Sequence, residues 1–192
     1  MRINELTGIK QSSFKRAIDA AEPDEEFDDS NAGALSDAVN QLRLQGWRVI
    51  GKGYYAYVLK APGKDYVIKL SYGDSGYQKF LKFIRSNPGN PHVPRIRGLG
   101  VKLSPDVYAI RMEQLIPITR TDPVLAQYIA PGLPVEFDSI WHEDNIDFLK
   151  ASHPELYQTF VSLYRMDPDN DIDYTNVMRR GDTLVITDPF FS

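Results

Sequence analysis

The stretch DIDYTNVMRRGDTLVITDPFFS, residues 171–192, holds the side chains best suited to chemistry. Asp171 and Asn176 are separated by four residues, and Asp188 follows twelve after Asn176. A carboxylate beside a hydroxyl can orient it and accept its proton. An amide oxygen and a second carboxylate are hard ligands of the kind Mg2+ takes, the ion otherwise keeping waters and phosphate oxygens. Asp167, Asp169 and Asp173 lie in or beside the same stretch and read as turn-forming Asx residues.

A second group of residues lies far upstream. Gly51-Lys-Gly53-Tyr-Tyr-Ala56-Tyr-Val58 falls between two strand-like runs. Glycines there let a backbone turn approach phosphates without a Cβ in the way. The same pattern also fits an ordinary hairpin turn. Lys69 follows in YVIKL, among apolar neighbours. A strand lysine commonly points to solvent, but one placed after a glycine loop can reach the phosphates that the loop covers. The pair says more than either part.

Several elements must position these residues. Residues 4–21 carry a loose apolar stripe, Ile9, Phe14, Ala17, Ile18 and Ala21, that predicts a helix. EPDEEFDD (22–29) has six acids in eight positions and reads as a solvated linker. A second helix is expected from Ser36 to Leu44, stopped by Gly46. WRVIGKGYYAYVLKAP (47–62) and KDYVIKLSY (64–72) are β-like and joined by a Pro-Gly turn. SGYQKFLKFIRS (75–86) places Tyr77, Phe80, Leu81 and Ile84 on one helical face. NPGNPHVP (87–94) is a rigid loop, and 95–103 with 107–115 form another predicted strand pair. The Pro-rich stretch 116–145 resists assignment beyond a short helix at VLAQYIA. Residues 144–166 are mostly helical, with Pro154 starting the second segment. The tail predicts a short strand at Asn176–Met178, a turn at RRGD and a strand at TLVIT.

Composition narrows the classes. The chain has 192 residues, 42% hydrophobic, enough for one compact domain with an appendage. The formal charge of −4 does not favour bulk nucleic-acid binding, and no direct contact with nucleic acid is expected. There is no cysteine, which removes disulfides, thiolate metal sites and a cysteine nucleophile. No signal-peptide pattern or run of about 20 apolar residues occurs, so no membrane partner and a cytoplasmic location are expected. His92, His142 and His153 show no zinc-ligand spacing and read as surface or loop residues.

Taken together, the glycine loop, Lys69, Asp171-Ile-Asp-Tyr-Thr-Asn176 and Asp188-Pro-Phe190 resemble the protein-kinase set. The similarity is closer to the early host-takeover serine/threonine kinases of T-odd podoviral phages. It rests on GWRVIGKG, VIKLSYGDSG and DIDYTNVMRRGDTLVITDPF, in that order, and runs from about residue 40 to the end with a poor middle between 116 and 160. The resemblance implies an α+β, minimal protein-kinase-like fold. An antiparallel-sheet N-lobe with one helix (46–115) would precede a reduced helical C-lobe (116–192), and residues 1–45 would be a helical extension with an acidic linker. It implies ATP and Mg2+ as cofactors, and a bacterial host protein as substrate or partner in the host cytoplasm.

It also implies roles. Lys69 would contact the α- and β-phosphates, Asp171 would orient the attacking hydroxyl, and Asn176 and Asp188 would hold Mg2+. Gly51, Gly53 and Ala56 would form the phosphate loop. Met112 would be the gatekeeper, with the backbones of Glu113 and Leu115 facing adenine. Val58, Val67 and Met178 would sandwich the base, a role compatible with core packing.

The sequence departs from the family in places. Asp169-Asn170 stand where His-Arg is usual, and D-F-G is Asp188-Pro189-Phe190. No Glu lies between Lys69 and Glu113, leaving Asp74 or Gln78 as substitutes for the usual partner of Lys69. Only four residues follow Asp188, so peptide recognition is expected to need another surface, residues 1–45 or a partner. The leading expectation is a Mg–ATP-dependent serine/threonine kinase acting on host proteins or on itself, with Ser12, Ser13, Ser30 and Ser36 as candidate self-targets. The alternatives are a pseudokinase that clamps a host or phage protein, and a small-molecule kinase resembling aminoglycoside phosphotransferases.

Overall fold

The fold is given by a computed structural model that describes residues 35, 39–40, 42–53, 56–72, 75–102, 107–170 and 172–190. The expected helix at 4–21 and the acidic run at 22–29 lie outside them. The chain divides into two compact units that are not consecutive in sequence. The first takes residues 1–74 and 95–114, the second residues 75–94 and 115–192.

The first unit is a five-stranded sheet of β1 (Arg48–Lys52), β2 (Ala56–Lys60), β3 (Tyr66–Tyr72), β4 (Val101–Lys102) and β5 (Val107–Glu113), in the order β1-β2-β3-β5-β4. Every pairing is antiparallel. The run 47–62 is thus two strands rather than one, folded back at Gly53, whose N–H donates to the Ala56 carbonyl at 2.9 Å. Pro62-Gly63 makes the turn into β3, with Gly63 at φ +65°, where a glycine carries no steric cost. Within 95–103 the pairing is shorter than expected. It consists of β4 and one isolated bridge, Ile96 to Met112.

Residues Leu35, Val39, Asn40 and 42–44 are helical, and Gly46 stops the helix as expected. Gly46 sits at φ +86°, and its N–H donates to the Arg43 carbonyl. The Trp47 N–H donates to the Leu42 carbonyl at 3.1 Å. These two bonds are the Schellman closure, and Leu42 and Trp47 supply the apolar contact that accompanies it.

Side chains alternate across a strand, so register sorts the sheet into two faces. One face carries Leu59, Ile68, Leu70, Val107 and Ala109, which form the core of the unit with Leu35, Val39, Leu42 and Trp47. The other carries Ala56, Val58, Val67, Lys69, Ser71, Ile110 and Met112.

The second unit opens with α1 (Ser75–Ser86), whose Tyr77, Phe80, Leu81 and Ile84 are all buried, as the spacing predicts. The 116–145 stretch holds β6 (Ile116–Pro117) and two 3-10 turns, Pro123–Tyr128 and Phe137–Trp141. α2 (Glu143–Ser152) and α3 (Pro154–Met166) follow, with Pro154 in the first turn of α3, where its missing N–H costs nothing. β7 (Val177–Arg180) and β8 (Thr183–Ile186) close the unit in a sheet ordered β6-β7-β8. The α+β class is therefore observed, with an antiparallel sheet in the first unit and a reduced helical set in the second. No helix among the described residues is long and apolar enough to cross a membrane.

Candidate functional site

In the first unit, register gathers the expected residues. Ala56, Val58, Val67, Lys69 and Met112 all project from the sheet face opposite the Leu35–Trp47 core. Gly51 pairs with Val58 and joins the same face through an irregularity in β1 between Val49 and Gly51. Lys69 stands between Val58 and Ile110 on the neighbouring strands and is only 6% exposed. An ammonium held this deep is costly unless paired, and Lys69 is not without an interaction. Of its two proposed substitutes for a glutamate, Asp74 lies outside the described residues and Gln78 belongs to the second unit.

The two glycines are not demanded by the fold. Neither has a positive φ. A Cβ on Gly53 would meet nothing within 4 Å, and one on Gly51 would make ordinary contact with Val58 at 3.5 Å. Their lack of side chains leaves backbone open along the β1–β2 turn. The Glu113 backbone and side chain both bond to Arg95. Its N–H donates to the Arg95 carbonyl at 3.1 Å, and its carboxylate accepts from the Arg95 N–H at 2.7 Å. That N–H is therefore already in use within the unit.

In the second unit, the β7–β8 hairpin brings Asn176 and Asp188 to the same end. Val177 pairs with Ile186 and Met178 with Val185. One step beyond that ladder, the Thr187 N–H and Oγ1 both donate to the Asn176 carbonyl, at 2.8 and 3.0 Å. Asn176 is held from the other side by Asp173. That carboxylate accepts from the Thr175 N–H (2.7 Å), the Thr175 hydroxyl (2.5 Å) and the Asn176 N–H (3.2 Å). Asp173 is thus the turn former expected. Asp171 lies outside the described residues, but its neighbour Ile172 is buried, which seats that end of the loop. Phe190 is buried and packs edge-on against Phe80 of α1 at 6.4 Å, which anchors the chain two residues past Asp188. Met178 pairs with Pro117 of β6, and Leu115 lies just before that strand.

Residues that sequence reasoning passed over hold this hairpin in place. His92 lies in the loop as expected, but it is buried rather than at the surface. Its Nδ1 lies 2.8 Å from the Leu184 carbonyl, and its own carbonyl accepts from the Ile186 N–H. Burial pushes the His92 imidazole below its usual range, only partly offset by the Leu184 carbonyl. Because that carbonyl can only accept, the neutral ring carries its proton on Nδ1. The Arg180 guanidinium donates to the Pro91 and Val93 carbonyls at 2.9 and 3.1 Å. The Tyr128 hydroxyl donates to the Asp182 carbonyl and accepts from the Leu184 N–H. Burial raises the Tyr128 phenol above its usual range. Asn145, fully buried in α2, accepts from the Ala130 N–H and donates to the Tyr128 and Ile140 carbonyls. Apart from the bond between Asn145 and Ile140, these contacts are long-range and have no local sequence signature.

No family model matches the chain, and no curated protein matches it. Solved structures similar to it include kinases and aminoglycoside phosphotransferases. One is Rad53 1–466 in complex with AMP-PNP, 17% identical with a TM-score of 0.43, over 80% of this chain and 42% of that one. Another is the Cydia pomonella granulovirus kinase PK-1, 13% identical with a TM-score of 0.45, over 81% and 57%. A third is the aminoglycoside phosphotransferase APH(4)-Ia, 14% identical with a TM-score of 0.41, over 78% and 70%. The chain therefore spans about half the length of the first two.

Proposed function

We propose that the chain is a Mg–ATP-dependent phosphotransferase that acts on serine and threonine hydroxyls of proteins. The observation that carries this is the β7–β8 hairpin, whose Thr187–Asn176 bonds hold an amide and a carboxylate, Asn176 and Asp188, at one end. Two hard oxygen donors there suit Mg2+, which would neutralise charge on the phosphates. The sheet face bearing Val58, Val67 and Met112 suits a flat apolar base, with Lys69 beside it for the α- and β-phosphates. Gly51 and Gly53, unneeded by the fold, suit close approach of phosphate to backbone.

In the reaction a Ser or Thr oxygen forms a bond to the γ-phosphorus. The bond between that phosphorus and the β–γ bridging oxygen breaks, and ADP leaves with the electron pair. Asp171 orients the hydroxyl and accepts its proton. By resemblance, the targets are bacterial host proteins, in the host cytoplasm of a phage infection, or the chain itself.

A second reading, a pseudokinase binding module, is favoured by the lack of any glutamate between Lys69 and Glu113. One experiment separates them. Labelled Mg–ATP is supplied to the purified protein and to a bacterial lysate, beside an Asp171→Ala control. Label lost in the control supports the phosphotransferase. A thermal shift with Mg–ATP but no label supports the pseudokinase. Neither signal sinks both nucleotide-dependent readings.

A further inference from the structure

One end of the first sheet carries two arginines against a single aromatic ring. One step beyond the Ile96–Met112 bridge, the Arg97 N–H donates to the Arg111 carbonyl at 2.8 Å, which sets the two residues opposite each other across the pairing. Both guanidinium carbons lie over the Tyr66 ring, Arg111 at 5.2 Å and Arg97 at 5.9 Å from its centroid. Tyr66 packs on the Leu35–Trp47 core, so the cluster is on the sheet face away from Lys69. Like charges directly opposite each other destabilise a sheet, and the ring offsets part of that cost.

The acids nearby answer only one of the two cations. Asp65 gives both its oxygens to Arg97, at 3.1 and 2.8 Å. Glu113, opposite Tyr66 in the register, accepts from the Arg95 N–H. Both acids act on Arg97 and hold its guanidinium above the usual range, the Asp65 hydrogen bonds most. Arg111 is different. It is half-buried, its enclosed Nε–H donates to nothing, and among the described residues no carboxylate pairs with it. An enclosed donor left unmade costs most when its group is charged.

Asp65 shows that one carboxylate fills one guanidinium fork. A ligand that answers both forks needs more than one charge and more than two oxygens. A phosphomonoester has both, about −1.5 to −2 at pH 7 and three strong acceptor oxygens. Arginine forks match such oxygens in pairs.

We propose that Arg97 and Arg111 form an anion site for a phosphomonoester dianion, presented by a phosphorylated side chain or by a free small phosphate. Tyr66 holds the two guanidiniums, and Asp65 occupies Arg97 until the dianion displaces it. The Asp65 side chain is 74% exposed, and an ion pair this open is worth little, so the exchange is easy. The site lies on the sheet face opposite Val58, Val67 and Lys69, and it stands whether or not the chain transfers phosphate.

The test is a 15N NMR titration of the full chain without nucleotide, following the Arg97 and Arg111 Nε–H signals. The probes are inorganic phosphate, the phosphoserine tripeptide Gly-pSer-Gly and, as a single-carboxylate control, Gly-Glu-Gly. Saturable shifts are expected with both phosphates, and binding of the glutamate peptide at least tenfold weaker. Arg111→Lys keeps the charge and the aliphatic stem but loses the fork; it should weaken phosphate binding tenfold or more, read on Arg97. Asp65→Asn removes the competitor and should tighten binding threefold or more. Arg48→Gln, which lowers the net charge on the opposite sheet face, should change nothing. Tighter binding of the phosphoserine peptide than of phosphate supports the site and assigns it to a phosphorylated protein segment. Equal binding supports it as a site for free phosphate. No saturable shift with either phosphate overturns the proposal. So does binding indifferent to both Arg111→Lys and Asp65→Asn, or weakened as much by Arg48→Gln as by Arg111→Lys.

Discussion

Replacing Asn145 by leucine tests whether one buried amide organises the Pro-rich middle of the chain. Leucine keeps the branched shape of the amide side chain but is larger, so some overpacking adds to the loss of hydrogen bonding. It strands three backbone groups, the Ala130 N–H and the Tyr128 and Ile140 carbonyls, which now meet the amide at 2.7, 3.0 and 3.2 Å. Each buried group left unpaired costs about 1–3 kcal/mol, and water entry recovers part of this, so a loss of about 3–5 kcal/mol is expected. That is a large share of the 5–15 kcal/mol on the order of which domains are stable. The assay is urea unfolding followed by circular dichroism. Asn145→Asp keeps the acceptor for Ala130 but turns a carboxylate toward two carbonyls. Its folded-state pKa is raised, so its deficit should shrink as pH falls from 7 toward 5. An Asn145→Leu loss below about 1 kcal/mol, or an Asp variant indifferent to pH, would refute the reasoning.

Gly53→Ala should leave stability within about 0.5 kcal/mol, since its Cβ meets nothing, yet weaken Mg–ATP binding about tenfold by calorimetry. Gly46→Ala should cost about 1–2 kcal/mol in unfolding experiments, because φ +86° strains a residue that carries a Cβ. Asp173→Ala removes the cap on the turn that presents Asn176; it should cost about 1 kcal/mol and weaken Mg2+-dependent nucleotide binding more than Mg2+-free binding. His92 has a depressed folded pKa, so the unfolded chain binds its proton first. Its contribution is complete above the unfolded value of about 6.5 and is lost as pH falls toward the folded value. His92→Gln should flatten that part of the stability–pH curve.

Much of the first unit was legible because its signals are local. The parity of 56/58 and 67/69 already puts four of the expected residues on common faces, and Pro62-Gly63 sets the phase between the strands. In α1 the 3.6-residue spacing reads the buried face outright. The stretch 116–145 was illegible for the opposite reason. Its short 3-10 turns lack a full amphipathic period, and they are fixed by contacts that skip many residues, Asn145 to Ala130 and Tyr128 and Tyr128 to Asp182. His92 misled because a histidine in a Pro/Gly loop carries no burial signal until β8 closes over it. Asn176 and Asp188 were legible as residue types, while the Thr187 contact that ties Asn176 to the residue before Asp188 was not.

The division of labour between the two faces of the first sheet limits how this sequence can change. Inserting or deleting a single residue within β2 or β3 would turn Val58 and Lys69 into the hydrophobic interior and expel Leu59 and Ile68, so packing and ligand contact would be lost in one step. Length variation within these strands is therefore tolerable only in pairs of residues. The Pro62–Lys64 turn, where a Cβ on Gly63 would meet nothing, is where odd-numbered changes can be absorbed. Among homologues, gaps should collect at that turn and be missing from the strands beside it.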